Sequence, residues 1–152
     1  MKRLAFAVIA AASLQLSSCG GTGVFEPREL ALELVGAWWP PKDIAANYVI
    51  RNEPDWQSVW KTHEPQIYPP PERPRVDFGR HMIVGLTLGT GPNGCHGLRI
   101  RRVVEEATEV RVEYRRSVVP PLVGCSQSLI ALTDFVIVTS TEKPVVFVRT
   151  DA

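Results

Sequence analysis

Cys95 and Cys125, with His96 beside the first and Ser126 beside the second, and Asp134 a few positions on, are the residues of this chain best suited to chemistry. A thiol beside an imidazole could serve as a nucleophile. A serine, a histidine and a carboxylate could form a small hydrolase if folding brought them within hydrogen-bond reach. The spacing favours neither. Neighbouring residues on a strand point to opposite faces, which separates His96 from Cys95. Ser126 and Ser128 lack a Gly-x-Ser-x-Gly turn. The cysteines are not a Cys-x-x-Cys pair, and His63, His81 and His96 sit at no metal-ligand spacing. Asp134 lies in a strongly apolar run, where a carboxylate is costly unless it is paired. No catalytic residue, metal ligand or cofactor is therefore assigned. A hydrolase built on His96, Ser126 or Asp134 stands as an alternative that requires those side chains to converge.

Cys19 bears on location. Lys2 and Arg3 precede an apolar stretch, Leu4 to Leu14, that is too short to span a bilayer, and a short polar segment follows. Leu16-Ser17-Ser18-Cys19 resembles the bacterial lipobox, in which the cysteine is lipidated and becomes the first mature residue. The resemblance implies a lipoprotein-type signal peptide over residues 1–18 and a membrane anchor of acyl chains, palmitate among them. Gly20 follows, with no acidic retention residue, which by resemblance implies the outer membrane, on either face. Residues 19–29, rich in glycine, threonine and proline, read as a tether, and 30–152 as a single β-rich domain. The whole chain carries a net charge of +1, and loss of Lys2 and Arg3 moves it to the acidic side of neutral. That balance argues against a nucleic-acid partner. With Cys19 lipidated in an oxidising compartment, Cys95 and Cys125 are expected to form a disulfide.

The elements that must position these residues are mostly strands. Tyr48-Val49-Ile50 reads as a short strand. Asn52-Glu53-Pro54-Asp55 reads as a helix start, and Trp56, Val59, Trp60 and His63 recur on one helical face before Pro65. The helix is expected over 54–64. Runs of strand character follow over 81–90, 97–105, 109–119, 129–140 and 144–149. Val110, Val112 and Tyr114 alternate with Arg111, Glu113 and Arg115, the pattern of a sheet with one wet face. Leu30 to Trp39 suits either strand or helix. The fold class is therefore mainly β with a minor α part: a twisted antiparallel sheet, open or partly closed, with one packed helix. Trp38, Trp39, Trp56 and Trp60 are expected in the core, and Glu105, Glu106 and Glu109 in solvent.

From Asn47 onward the chain resembles the C-terminal domain of PrcB-type protease complex subunits. Tyr48-Val49-Ile50-Arg51 leading to Trp56-Gln57-Ser58-Val59-Trp60 carries the likeness, with Val76-Asp77-Phe78 before Ile83-Val84-Gly85-Leu86-Thr87-Leu88-Gly89, and the glycine loop Gly89 to Gly97. His96 stands where such domains commonly place an aromatic. The resemblance implies a non-catalytic partner of an exported protease. The glycine loop suits either a stapled hairpin whose glycines supply positive φ, or a partner-binding loop made rigid by the staple. Gly91, Asn93, Gly94 and His96, with Arg99 and Arg101 on the next strand, are the expected contact residues. The arginines fit a wet sheet face, or a surface for an acidic partner or anionic lipid headgroups. The leading expectation is a lipid-anchored protein–protein interaction module for an envelope or secreted protein. The alternatives are a protease inhibitor presenting the stapled loop and the small hydrolase.

Overall fold

The computed structural model describes residues 24–36, 39–64, 68–120 and 124–151. The signal peptide, Cys19, the first part of the tether and Trp38 lie outside the described residues. In chain order the elements are β1 (Arg28–Glu29), β2 (Glu33–Leu34), β3 (Ala45–Ile50), α1 (Glu53–His63), β4 (His81–Gly91), β5 (His96–Glu105), β6 (Val110–Val118), β7 (Ile130–Thr139) and β8 (Val145–Arg149). The fold is mainly β with one helix among the described residues, as the sequence predicts. The strands form two four-stranded sheets rather than one, in the orders β1-β5-β6-β8 and β2-β7-β4-β3. Neither is a closed barrel. Short links predict antiparallel neighbours, and β6–β8 departs from this as a parallel pair. Its two strands are separated in the chain by β7, which belongs to the other sheet, so the connection between them is long enough for a crossover.

The burial pattern follows from this layering. β6 alternates, burying Val110 and Val112 beneath a wet outer face. In β4, by contrast, every residue from Met82 to Leu86 is buried, because both faces of its sheet are covered. Met82, Val84 and Leu86 pack between the two sheets with Leu98, Ile100, Val110, Leu132 and Val136. Ile83, on the other face, joins Phe135 and Ile137 under Trp56 and Trp60 of α1. The resulting order is helix, sheet, sheet.

Helix α1 begins where its cap allows. The Asn52 side chain accepts from the Asp55 amide at 2.9 Å, and Pro54 occupies the first turn. Trp56, Trp60 and His63 are its buried face. The Trp56 indole N–H donates to the Pro74 carbonyl at 3.1 Å, tying the proline-rich segment to the helix. Phe135 sits under Trp39 and Tyr48, with ring centroids 4.9 Å and 5.4 Å away. Its cross-strand partner is Gly85, where a Cβ would run into the Phe135 ring. The aromatic layer thus needs glycine at that point for space rather than for backbone freedom.

His63 is only 1% exposed. Its Nε2 lies 3.0 Å from the Tyr48 hydroxyl, and its Nδ1 is buried with no hydrogen-bond partner. Burial, and then the Lys42 ammonium, hold its pKa below the ordinary histidine value. The unfolded chain, with a histidine pKa of about 6.5, takes up this proton first. The stability it contributes is therefore complete above that pH and is lost as pH falls toward the lower, folded pKa. Unfolding of the wild type, measured from pH 8 to 5, should show this loss, and His63→Gln should flatten that part of the profile. An unchanged profile in the variant would remove His63 as its source.

Candidate functional site

The two shortest strands leave the two longest edges half covered. β1 pairs only with Val104 and Glu105 of β5, and Leu30 N–H extends the contact to the Val103 carbonyl at 2.8 Å. β2 pairs only with Val136 and Ile137 of β7, and Val35 N–H extends it to the Phe135 carbonyl at 3.1 Å. Beyond those points, among the described residues, no strand lies alongside His96–Arg99 of β5 or Ile130–Asp134 of β7 on that side. Between these two bare edges is a cavity of about 440 Å³, lined also by Val35, Gly36, Trp39 and Ser117.

Both ends of this seam are fixed. At one end Cys95 and Cys125 lie at disulfide distance, 5.3 Å between Cα atoms. One cysteine stands just before β5 and the other shortly before β7, so the bridge joins the starts of strands in different sheets. The Gly94 amide reinforces it by donating to the Ser126 carbonyl at 2.9 Å. At the other end Asp134, 5% exposed, reaches from β7 to β5. Its Oδ2 accepts from the Ile100 amide at 2.7 Å and its Oδ1 lies 3.5 Å from Arg99 Nη1. Burial raises the Asp134 pKa, opposed by the Ile100 amide and then by Arg99. A register shift in β5 between Ile100 and Arg102 sits at this junction. Asp134 thereby satisfies an edge N–H that would otherwise have no partner strand.

The expected contact residues divide. His96 and Arg99 line the cavity. Arg101 is exposed on the same strand, at the register shift, and Arg99 stands directly opposite Arg115. Gly91 instead ends β4, opposite Ile130, and Asn93 and Gly94 belong to the turn that carries the chain from one sheet to the other. Gly91 is buried, with Ile130 2.9 Å from where a Cβ would stand. The Asn93 side-chain oxygen accepts from the Cys95 amide at 3.0 Å, and its carbonyl accepts from the His96 amide at 3.2 Å. The expected glycine hairpin is thus a tight connection between sheets, with its own hydrogen bonds already made. Of its glycines only Gly89 has a positive φ, 85°. Gly94 and Gly97 are instead crowded by the side chains of Ser126 and Ser117.

His96 and Asp134 line the same cleft, but Ser126 packs against Gly94 outside it. No hydrogen bond joins the three among the described residues. The imidazole Nδ1 of His96 is buried without a partner. Among the described residues no group of three or more His, Cys, Asp and Glu gathers as metal ligands would, and no helix is long and apolar enough to cross a membrane. Glu105 corrects the expectation of a solvated carboxylate. It pairs with Lys143 at 3.1 Å and Arg28 at 2.8 Å, and the hydrogen bond from Lys143 leads those contacts in lowering its pKa. The sequence reading missed the bare edges altogether, since two-residue strands leave no periodicity to find. No family model, curated protein or solved structure matches this chain.

Proposed function

We propose that this chain is a non-catalytic binding module, lipid-anchored at Cys19 in the outer membrane, that engages an exported protease or another envelope protein. The observation that carries the reading is the seam cleft: a cavity whose two walls are tied together by Cys95–Cys125 at one end and Asp134 at the other. A cleft already in its final shape loses little entropy when a partner enters. The chemistry of its residues also favours binding. Asp134 spends its oxygens on Ile100 and Arg99, which suits a structural link better than a general base. The stapled loop is a tight turn, whereas an inhibitor would present an extended segment to a protease.

The test is crosslinking in intact envelopes followed by pull-down, comparing wild type with Cys19→Ala and with an unrelated lipid-anchored control. A discrete envelope protein should crosslink to the wild type and not to the control. Its loss with Cys19→Ala would make membrane placement part of recognition, and its retention would make the lipid a tether. Recovery of nothing beyond the control's set would overturn the proposal.

A further inference from the structure

Resting on the binding reading above, we infer that the cleft takes an extended, acidic polypeptide segment that adds as a strand to the bare edge of β7. The first ground is backbone alternation. The Phe135 carbonyl faces β2, since it accepts from Val35. Thr133 and Ala131, two and four residues earlier, therefore turn their N–H and C=O groups to the same side, where no strand lies among the described residues. The Thr133–Thr87 pair agrees, with its hydroxyls 2.8 Å apart across the β4 side. Ile130–Asp134 spans about 13 Å at the strand rise, a short run for an incoming chain to pair with. Main-chain pairing of this kind is a common mode of peptide recognition.

The second ground is continuity. Residues 28–35 of this chain already lie on both edges of the seam, and among the described residues Val35, bonded to Phe135, is the last to pair with β7. An incoming strand antiparallel to β7 would extend the line that β2 begins. The third ground is charge. Arg99, whose side chain is 65% exposed, lines the cavity, and beside it stand the exposed Arg115, directly opposite on β6, and the exposed Arg101, two residues on along β5. Among the described residues Arg101 and Arg115 enter no ion pair, unlike Arg99 and Arg102 of β5, so their charge is available to carboxylates on the incoming segment. Leu34, which lines the mouth, is 58% exposed and Leu129 precedes the first edge residue, so alternate apolar side chains also have somewhere to go.

The probe is a capped eight-residue peptide alternating valine and glutamate, titrated into the soluble domain and followed by amide NMR. Binding should shift the Ala131 and Thr133 amides and slow their hydrogen exchange by about tenfold or more. The same peptide N-methylated at alternate amides, or with lysine for glutamate, should bind at least about tenfold more weakly. Ala131→Pro removes one outward N–H, a change edge strands tolerate, and should abolish binding with the near-UV circular dichroism retained. Equal affinity for the N-methylated peptide would overturn the inference, as would protection elsewhere, or no binding by any probe at millimolar concentration. An envelope partner captured equally by wild type and folded Ala131→Pro would overturn it while leaving the binding module standing.

Discussion

Replacing Cys95 and Cys125 together by serine should lower the free energy of unfolding by about 3–4 kcal/mol, as read from urea denaturation. The figure follows from the 30-residue separation of the pair and the chain entropy that such a loop withholds from the unfolded state. The consequence here exceeds a uniform loss of stability. The bridge ties the start of β5 in one sheet to the start of β7 in the other, beside the Gly94–Ser126 hydrogen bond and the turn from β4 into β5. Faster hydrogen exchange in the variant should therefore concentrate at His96–Leu98 and Ile130–Leu132 and spare the β3–β4 ladder. Wild type unfolded under reducing conditions should match the double variant. A loss below about 1 kcal/mol would show that the pair constrains neither the unfolded chain nor the seam.

Asp134→Ala should cost about 2 kcal/mol, because it strands the Ile100 amide in the protein interior. Asp134→Asn keeps an acceptor at that position and should cost clearly less. Arg99→Ala should cost under about 1 kcal/mol, since its guanidinium is mostly in water and the pair is long. The ordering Asp134→Ala, Asp134→Asn, Arg99→Ala separates an edge-capping carboxylate from a salt bridge. If Arg99→Ala proved the most damaging, the ion pair rather than the amide would be the reason for Asp134. The pH dependence gives a second check. Burial raises the Asp134 pKa in the folded protein. Its contribution is therefore fully present below the unfolded aspartate value of about 3.9 and is lost as pH rises through the folded value. Asp134→Asn should abolish that fall, which runs opposite in sign to the effect of His63.

The main strands were legible because their causes are local. The alternation Val110 to Arg115 marks a half-wet strand, and Asn52 with Pro54 marks a helix start; both features appear at those positions. β4 shows where local signals stop. Its run from Met82 to Leu86 is apolar throughout, which states that both faces are covered without saying by what. One face turns out to meet α1 and the other a second sheet. β1 and β2 were beyond reach because two residues cannot display a period of two. Leu30 to Trp39 looked ambiguous because the segment crosses from one sheet to the other. The glycines from Gly89 to Gly97 suggested backbone freedom, yet at Gly91, Gly94 and Gly97 the requirement is space beside Ile130, Ser126 and Ser117. Asp134 was recognisable as a carboxylate in need of a partner. That its partner is a backbone amide of the opposite sheet depends on contacts distant in sequence.

The segment running through β1 and β2 also has a mechanical side. Each of these strands is held by a two-residue ladder, and together they are the first elements that a pull on the N-terminal end would meet. Tension along that end would strip them before it loaded the long ladders of β4–β7 or β5–β6. Past that point the Cys95–Cys125 link carries the load around the β5–β6 hairpin, so residues 96–124 cannot pay out as slack. The first effect of force on this fold is therefore to lengthen the bare edges of β5 and β7 while the two sheets stay joined.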